Sequence, residues 1–161
     1  MFKRLFRRSA GEARGPGSAY ELVPHSDAEA GRGFVVRRVS DGRLMPWREL
    51  DGSDDLTAFP VAGVSHREEA LAAPAFTPGS MLRLIPEPEN PHDPNAVAVW
   101  DAEERLQVGY VPREQAPALF RELRSGERLL CLSMWEVMED DRRVALRALA
   151  IGDSVSIRSA R

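Results

Sequence analysis

The chain has 161 residues, 43% apolar and 29% charged, with a formal net charge of −3; that supports one core and excludes two large domains. No run approaches the roughly 18–20 continuous apolar residues of a membrane-spanning helix, and a single cysteine excludes an internal disulfide and any multi-cysteine zinc site. Charge is uneven: residues 1–14 hold five basic side chains against Glu12 alone, whereas between Phe59 and Met138 seven arginines face twelve carboxylates. A general DNA coater neutralises many phosphates, so nucleic-acid binding by this acidic domain is expected to be local and geometric.

Residues 1–33 read as a flexible basic arm, poor in apolar periodicity. Its start, MFKRLFRRSAGEARG, lacks the apolar core of a secretory signal, so a cytoplasmic location without membrane partners is expected. Phe2, Leu5 and Phe6 can form one amphipathic turn opposite Lys3, Arg4, Arg7 and Arg8; a solvated basic tail and a membrane or nucleic-acid anchor are its two readings. Residues 34–55 predict a hairpin around Asp41-Gly42, a pair that readily takes positive φ, followed by the polar linker Asp51 to Asp55. Residues 56–152 are the main domain, and residues 153–161 a polar tail.

Within that domain, Thr57 to Val64 predicts a strand and Arg67 to Ala73 two short helical turns. Ser80 to Ile85 predicts a second strand, followed by a stiff loop with prolines at 86, 88, 91 and 94. Asn95 to Trp100 alternates as a strand and Leu106 to Val111 returns as its partner. Ala116, Leu119, Phe120 and Leu123 form the stripe of a helix that starts near Glu114 or Gln115, keeps Pro117 in its first turn and stops at Gly126. Arg128 to Met138 and Arg142 to Ile151 predict a closing hairpin, with Cys131 as a small buried hydrophobe. Many short strands with two short helices describe a mainly β, α+β domain of small-barrel type.

One stretch is specific. Glu87-Pro88-Glu89-Asn90-Pro91-His92-Asp93-Pro94-Asn95-Ala96-Val97-Ala98-Val99, followed by Val108-Gly109-Tyr110-Val111-Pro112-Arg113, resembles the HIRAN signature: an N-P-x-D-x-N-A-[IV]-x-V run, then G-[YH]-[LVI] leading into a helix. Val61-Ala62-Gly63-Val64 is similar to the family's opening strand. The resemblance implies an OB-like antiparallel β-barrel with two short helices that grips the 3′ end of single-stranded DNA. In eukaryotic relatives this domain accompanies a Swi/Snf-type ATPase and a RING finger. This chain has neither a GxxxxGK[ST] phosphate loop nor a Cys/His zinc cluster, so no enzymatic activity and no cofactor or metal is expected of it.

Carried over position by position, the resemblance places Asp93 on the terminal hydroxyl, His92 and His66 where the family has stacking aromatics, and Arg113 on phosphate. A further phosphate-contacting arginine is Ser65 here, with Arg67 close by, and Trp135 is the candidate for a later aromatic.

Each residue also has a plainer reading. Asp93 can cap its own turn, and Asn90 and Asn95 read as loop staples. The histidines can stack a base, remain merely exposed, or with Asp93 ligand a metal, although no spacing signature supports the last. Arg113 can pair with Glu114 or Glu87 instead of phosphate, and Trp100 and Trp135 read as core. Calcium is rejected for 93–104 because Val97 and Ala98 stand where an oxygen ligand and a glycine are required. The functional expectation is a binding module for single-stranded DNA 3′ ends, in DNA repair or replication. Its rival is a protein-interaction module that uses the same barrel face for a protein partner.

Overall fold

The computed structural model describes residues 19–160; the expectations for the arm up to residue 18, including its amphipathic turn, lie outside them. The described residues form ten strands: β1 Ala19–Asp27, β2 Gly31–Arg38, β3 Leu44–Met45, β4 Leu56–Pro60, β5 Met81–Pro86, β6 Val97–Asp101, β7 Gln107–Tyr110, β8 Leu130–Glu139, β9 Arg142–Ile151 and β10 Ser156–Ser159. Two α-helices, α1 Glu68–Ala72 and α2 Ala116–Arg124, complete a mainly β fold. Neither is long and apolar enough to cross a membrane.

The apolar runs at 129–132 and 148–151 are continuous because β8 and β9 are covered on both faces there. Side chains alternate along a strand. Cys131, Leu146, Ala148 and Ala150 enter one core with Phe59, Val99, Val108 and Leu119. Leu132, Met134, Leu149 and Ile151 enter a second with Tyr20, Leu22, Val36 and Leu56. Burial pushes the Cys131 thiol well up, which makes it inert as a nucleophile. The β8–β9 hairpin turns through Asp140 and Asp141, both at positive φ (47° and 59°), as a tight hairpin connection of the right twist demands.

Several sequence expectations change. The sheet runs β10-β1-β2-β8-β5-β6-β7, with β3 on β2, β9 on β8 and β4 on β9. It is mixed, since β1 and β10 are parallel, and it is not a closed barrel. Past β4 the chain meets β7 only at one bridge, Ala62 with Tyr110, through backbone bonds of 2.8 and 2.9 Å.

The predicted arm to residue 33 is strand from Ala19 onward, and the predicted tail contains β10. The hairpin at 34–55 exists as β2 against β3, but β2 also pairs with β1 and β8. Nor is Asp55 a loose linker, because its carboxylate accepts from the Ser154 N–H and hydroxyl at 3.0 and 2.6 Å. Helix α2 begins at Ala116 with Pro117 in its first turn, and Gly126 follows its end at φ 84°.

The run rejected as a calcium loop is β6 and a turn. Asp101, 4% exposed, accepts the backbone N–H groups of Arg105 and Leu106 at 2.7 Å each. Burial pushes its carboxyl up, but these bonds outweigh that and leave it below the usual range. Asp101→Ala should therefore destabilise the chain by about 1–3 kcal/mol in a denaturant titration, because two turn N–H groups lose their acceptor. The native contribution should be complete above the ordinary aspartate range and fall away as acid protonates the folded carboxyl.

Candidate nucleic-acid interface

The proline-rich loop is held by a single asparagine. Asn90 Oδ1 accepts the N–H groups of His92 (2.9 Å) and Asp93 (3.2 Å), while its Nδ2 donates to Glu87 Oε1 at 3.0 Å. Asn90 is thus the staple its position suggested. The other end of this chain of bonds is Tyr110, whose hydroxyl donates to the same Glu87 oxygen at 3.0 Å. The Arg67 guanidinium lies 6.0 Å from the Tyr110 ring centroid, at the outer limit of a cation–π contact. Arg113, immediately before α2, donates to the His92 carbonyl at 3.4 Å.

The structure thereby links Arg67, His92, Asp93 and Arg113 through Tyr110, Glu87 and Asn90. His92 and Arg113 are exposed, and Asp93 is half-buried. Asp93 does cap its turn: Oδ1 accepts the Asn95 N–H at 2.8 Å. Its Oδ2 makes no hydrogen bond among the described residues. Arg113 does not pair with Glu114 or Glu87, and among the described residues neither Arg113 nor Arg67 has a carboxylate at ion-pair distance.

Trp135 follows its core reading and not the candidate site role, whereas Trp100 departs from the core reading. Trp135 is 7% exposed, donates its indole N–H to the Ala30 carbonyl at 2.8 Å and stacks on His25, so it belongs to the second core. Trp100 is only half-buried; it lines a shallow groove of about 700 Å³ with His66, Arg67 and Arg105. His66 is exposed in the turn Val64–His66, and no hydrogen bond or ring contact among the described residues ties it to His92.

The residue that sequence reasoning overlooked is Tyr110. It stands in the signature, but its partners lie far away in the sequence, Glu87 on the proline-rich loop and Arg67 beyond β4. The one visible signal was its glycine neighbour. A Cβ on Gly109 would sit 2.2 Å from the Ala62 carbonyl oxygen, so only glycine permits the approach that fixes Tyr110.

The arrangement is a mainly β domain whose asparagine-braced acidic loop lies between two arginines without a carboxylate at ion-pair distance among the described residues. The HIRAN domain model matches residues 55–159, and the chain belongs to that family, a family of DNA-binding domains. Similar solved structures include a protein from Lactobacillus plantarum, 22% identical with a TM-score of 0.43, the match covering 60% of this chain and 98% of that one. The HIRAN domain of human HLTF is 20% identical with a TM-score of 0.44, the match covering 60% and 75%. No curated protein matches the chain.

Proposed function

We propose that this chain is a non-catalytic, cytoplasmic module that binds the 3′ end of single-stranded DNA, in repair or replication. The observation that carries the reading is the half-committed carboxylate of Asp93, with Oδ1 engaged by Asn95 and Oδ2 left to accept a hydrogen bond. A terminal 3′-hydroxyl is a donor and suits that oxygen. The guanidinium groups of Arg113 and Arg67 suit the phosphates behind it, and the exposed imidazole of His92 offers a stacking face for the last base. Two arginines among many carboxylates support local gripping rather than coating of a long polymer.

The test is fluorescence anisotropy with matched single strands that end in a 3′-hydroxyl or a 3′-phosphate. A hydrogen bond to a charged acceptor is worth about 1.5–3 kcal/mol, so the hydroxyl end should bind roughly ten- to a hundredfold more tightly, and like-charge repulsion should widen the gap. Asp93→Ala should abolish most of this preference, and Asp93→Asn, which keeps an acceptor without the charge, should fall between. Circular dichroism checks that each variant is folded. Equal affinity of the parent for both ends would sink the end reading, and no affinity for any strand would favour a protein ligand on the same face.

A further inference from the structure

Trp47 opens a short 3-10 turn, Trp47–Glu49, and carries two guanidinium groups against its ring: Arg48 Cζ lies 4.6 Å and Arg147 Cζ 4.1 Å from the ring centroid. Two cations share one aromatic side chain. Among the described residues neither has a carboxylate at ion-pair distance. Burial, and then the charge of Arg48, push Arg147 down to about 10, so the pair is electrostatically uncompensated.

Beside them runs a groove of about 290 Å³, lined by Trp47, Arg48, Asp51, Pro112, Glu114 and Gln115 among others. Arg147 Nε and Gln115 Oε1 are both buried without a hydrogen-bond partner among the described residues. Of the two groove acids, Asp51 already accepts the Ser53 N–H at 3.0 Å, and Glu114 is exposed. Arg147 with its orphan Nε–H, the orphan acceptor of Gln115 and the exposed cation Arg48 together fit a ligand that brings an anion and a hydrogen-bond donor. A nucleotide does so, with its phosphate and the N–H edge of its base.

Pro112 and Glu114 are the chain neighbours of Arg113, whose guanidinium reaches the His92 carbonyl. The groove and the end site therefore share the entry to α2. We propose that the groove at Trp47 and Arg48, with Arg147 packed on the Trp47 ring beside it, is a second phosphate-contact site, which takes the backbone of the same single strand upstream of its 3′ end; this rests on the end-binding reading for its polarity. The groove's arginine, Arg48, comes from the segment before β4, the neighbouring Arg147 comes from β9, and both Trp47 and Arg48 precede residues 55–159.

The experiment compares the full chain with Arg48→Gln and Arg48→Lys on short and long oligothymidines, each with 3′-hydroxyl and 3′-phosphate ends, across a salt series. Arg48 is exposed, so both variants should fold as the parent does. On the long strand Arg48→Gln should lose about three- to tenfold in affinity, and the salt slope should shrink by about 0.7, one single-strand phosphate contact. Arg48→Lys should restore most of the slope. The short strand and the preference between ends should be unchanged.

If the parent prefers the hydroxyl end but Arg48→Gln leaves the long-strand affinity and slope intact, the groove assignment is overturned and the end site stands. An equal loss on short and long strands also overturns it. If the parent shows no end preference while Arg48→Gln still weakens only the long strand, the end reading falls and the groove stands as a phosphate contact.

Discussion

Glu136→Ala is expected to destabilise the chain by about 3–5 kcal/mol, a large fraction of the roughly 5–15 kcal/mol that holds a typical domain together. The side chains of Glu136 and Arg143 are 1% and 7% exposed and meet at 2.7 Å. The other Glu136 oxygen accepts from Arg32 at 2.6 Å. Arg143 is no simple partner, because it also donates to the carbonyls of Leu71 and Ala73, which ties β9 to the end of α1. Removing the carboxylate strands a buried cation.

The companion variant Arg143→Leu in the Glu136→Leu background should recover only part of the loss. Apolar replacement of a buried pair is often neutral, but here two backbone carbonyls would lose their donor. Thermal melts and urea titrations measure both. Burial pushes the Glu136 carboxyl up, yet the bonds from Arg32 and Arg143 outweigh it and hold the group below its ordinary value of 4.5. Its contribution is therefore complete above that pH and is lost as acid protonates the folded carboxyl. A Glu136→Ala melt equal to the parent's would show that the pair is not the fastening described.

Gly109→Ala is expected to lower stability by about 3 kcal/mol and to weaken DNA binding as well. The added methyl would lie 2.2 Å from the Ala62 oxygen and 2.8 Å from Val61 Cγ1, and the first neighbour is backbone that cannot rotate aside. The two hydrogen bonds of the Ala62–Tyr110 bridge must lengthen, and Tyr110 moves with them. Because Tyr110 holds Glu87 and lies under Arg67, the acidic loop and the basic turn lose their common support. Melting temperature and anisotropy should fall together. Loss of stability with DNA affinity intact in the cold would separate the bridge from the site.

The strands that were legible in the sequence are those with dense apolar pattern. β5 to β9 announce themselves because their apolar residues recur in dense or alternating runs. β1 does not: AYELVPHSD buries only Tyr20 and Leu22 and carries a proline, and β10 buries Ile157 alone. β10 ends the sheet and β1 lies next to it, and strands at that margin bury few side chains, so their sparse pattern reads as arm or tail. At the site, the signature led directly to Asp93, His92 and Arg113, since all three lie within or beside one loop and one helix start. Tyr110 escaped because its role exists only across the fold, and Trp135 follows its core reading rather than the candidate site role, its indole N–H spent on the Ala30 carbonyl.

The second core has an implication for where this molecule begins. Tyr20, Leu22, Val36, Met45 and Leu50 close over Leu132, Met134, Leu149 and Ile151, yet the first five precede the matched residues 55–159. The inherited unit and the folding unit thus have different borders. A fragment cut to the family's limits would turn one face of its central strands to water as a continuous oily surface, and such surfaces drive self-association. The extra N-terminal strands are a lid that lies outside the family's limits, and the unit that stays monodisperse in solution should be the longer one.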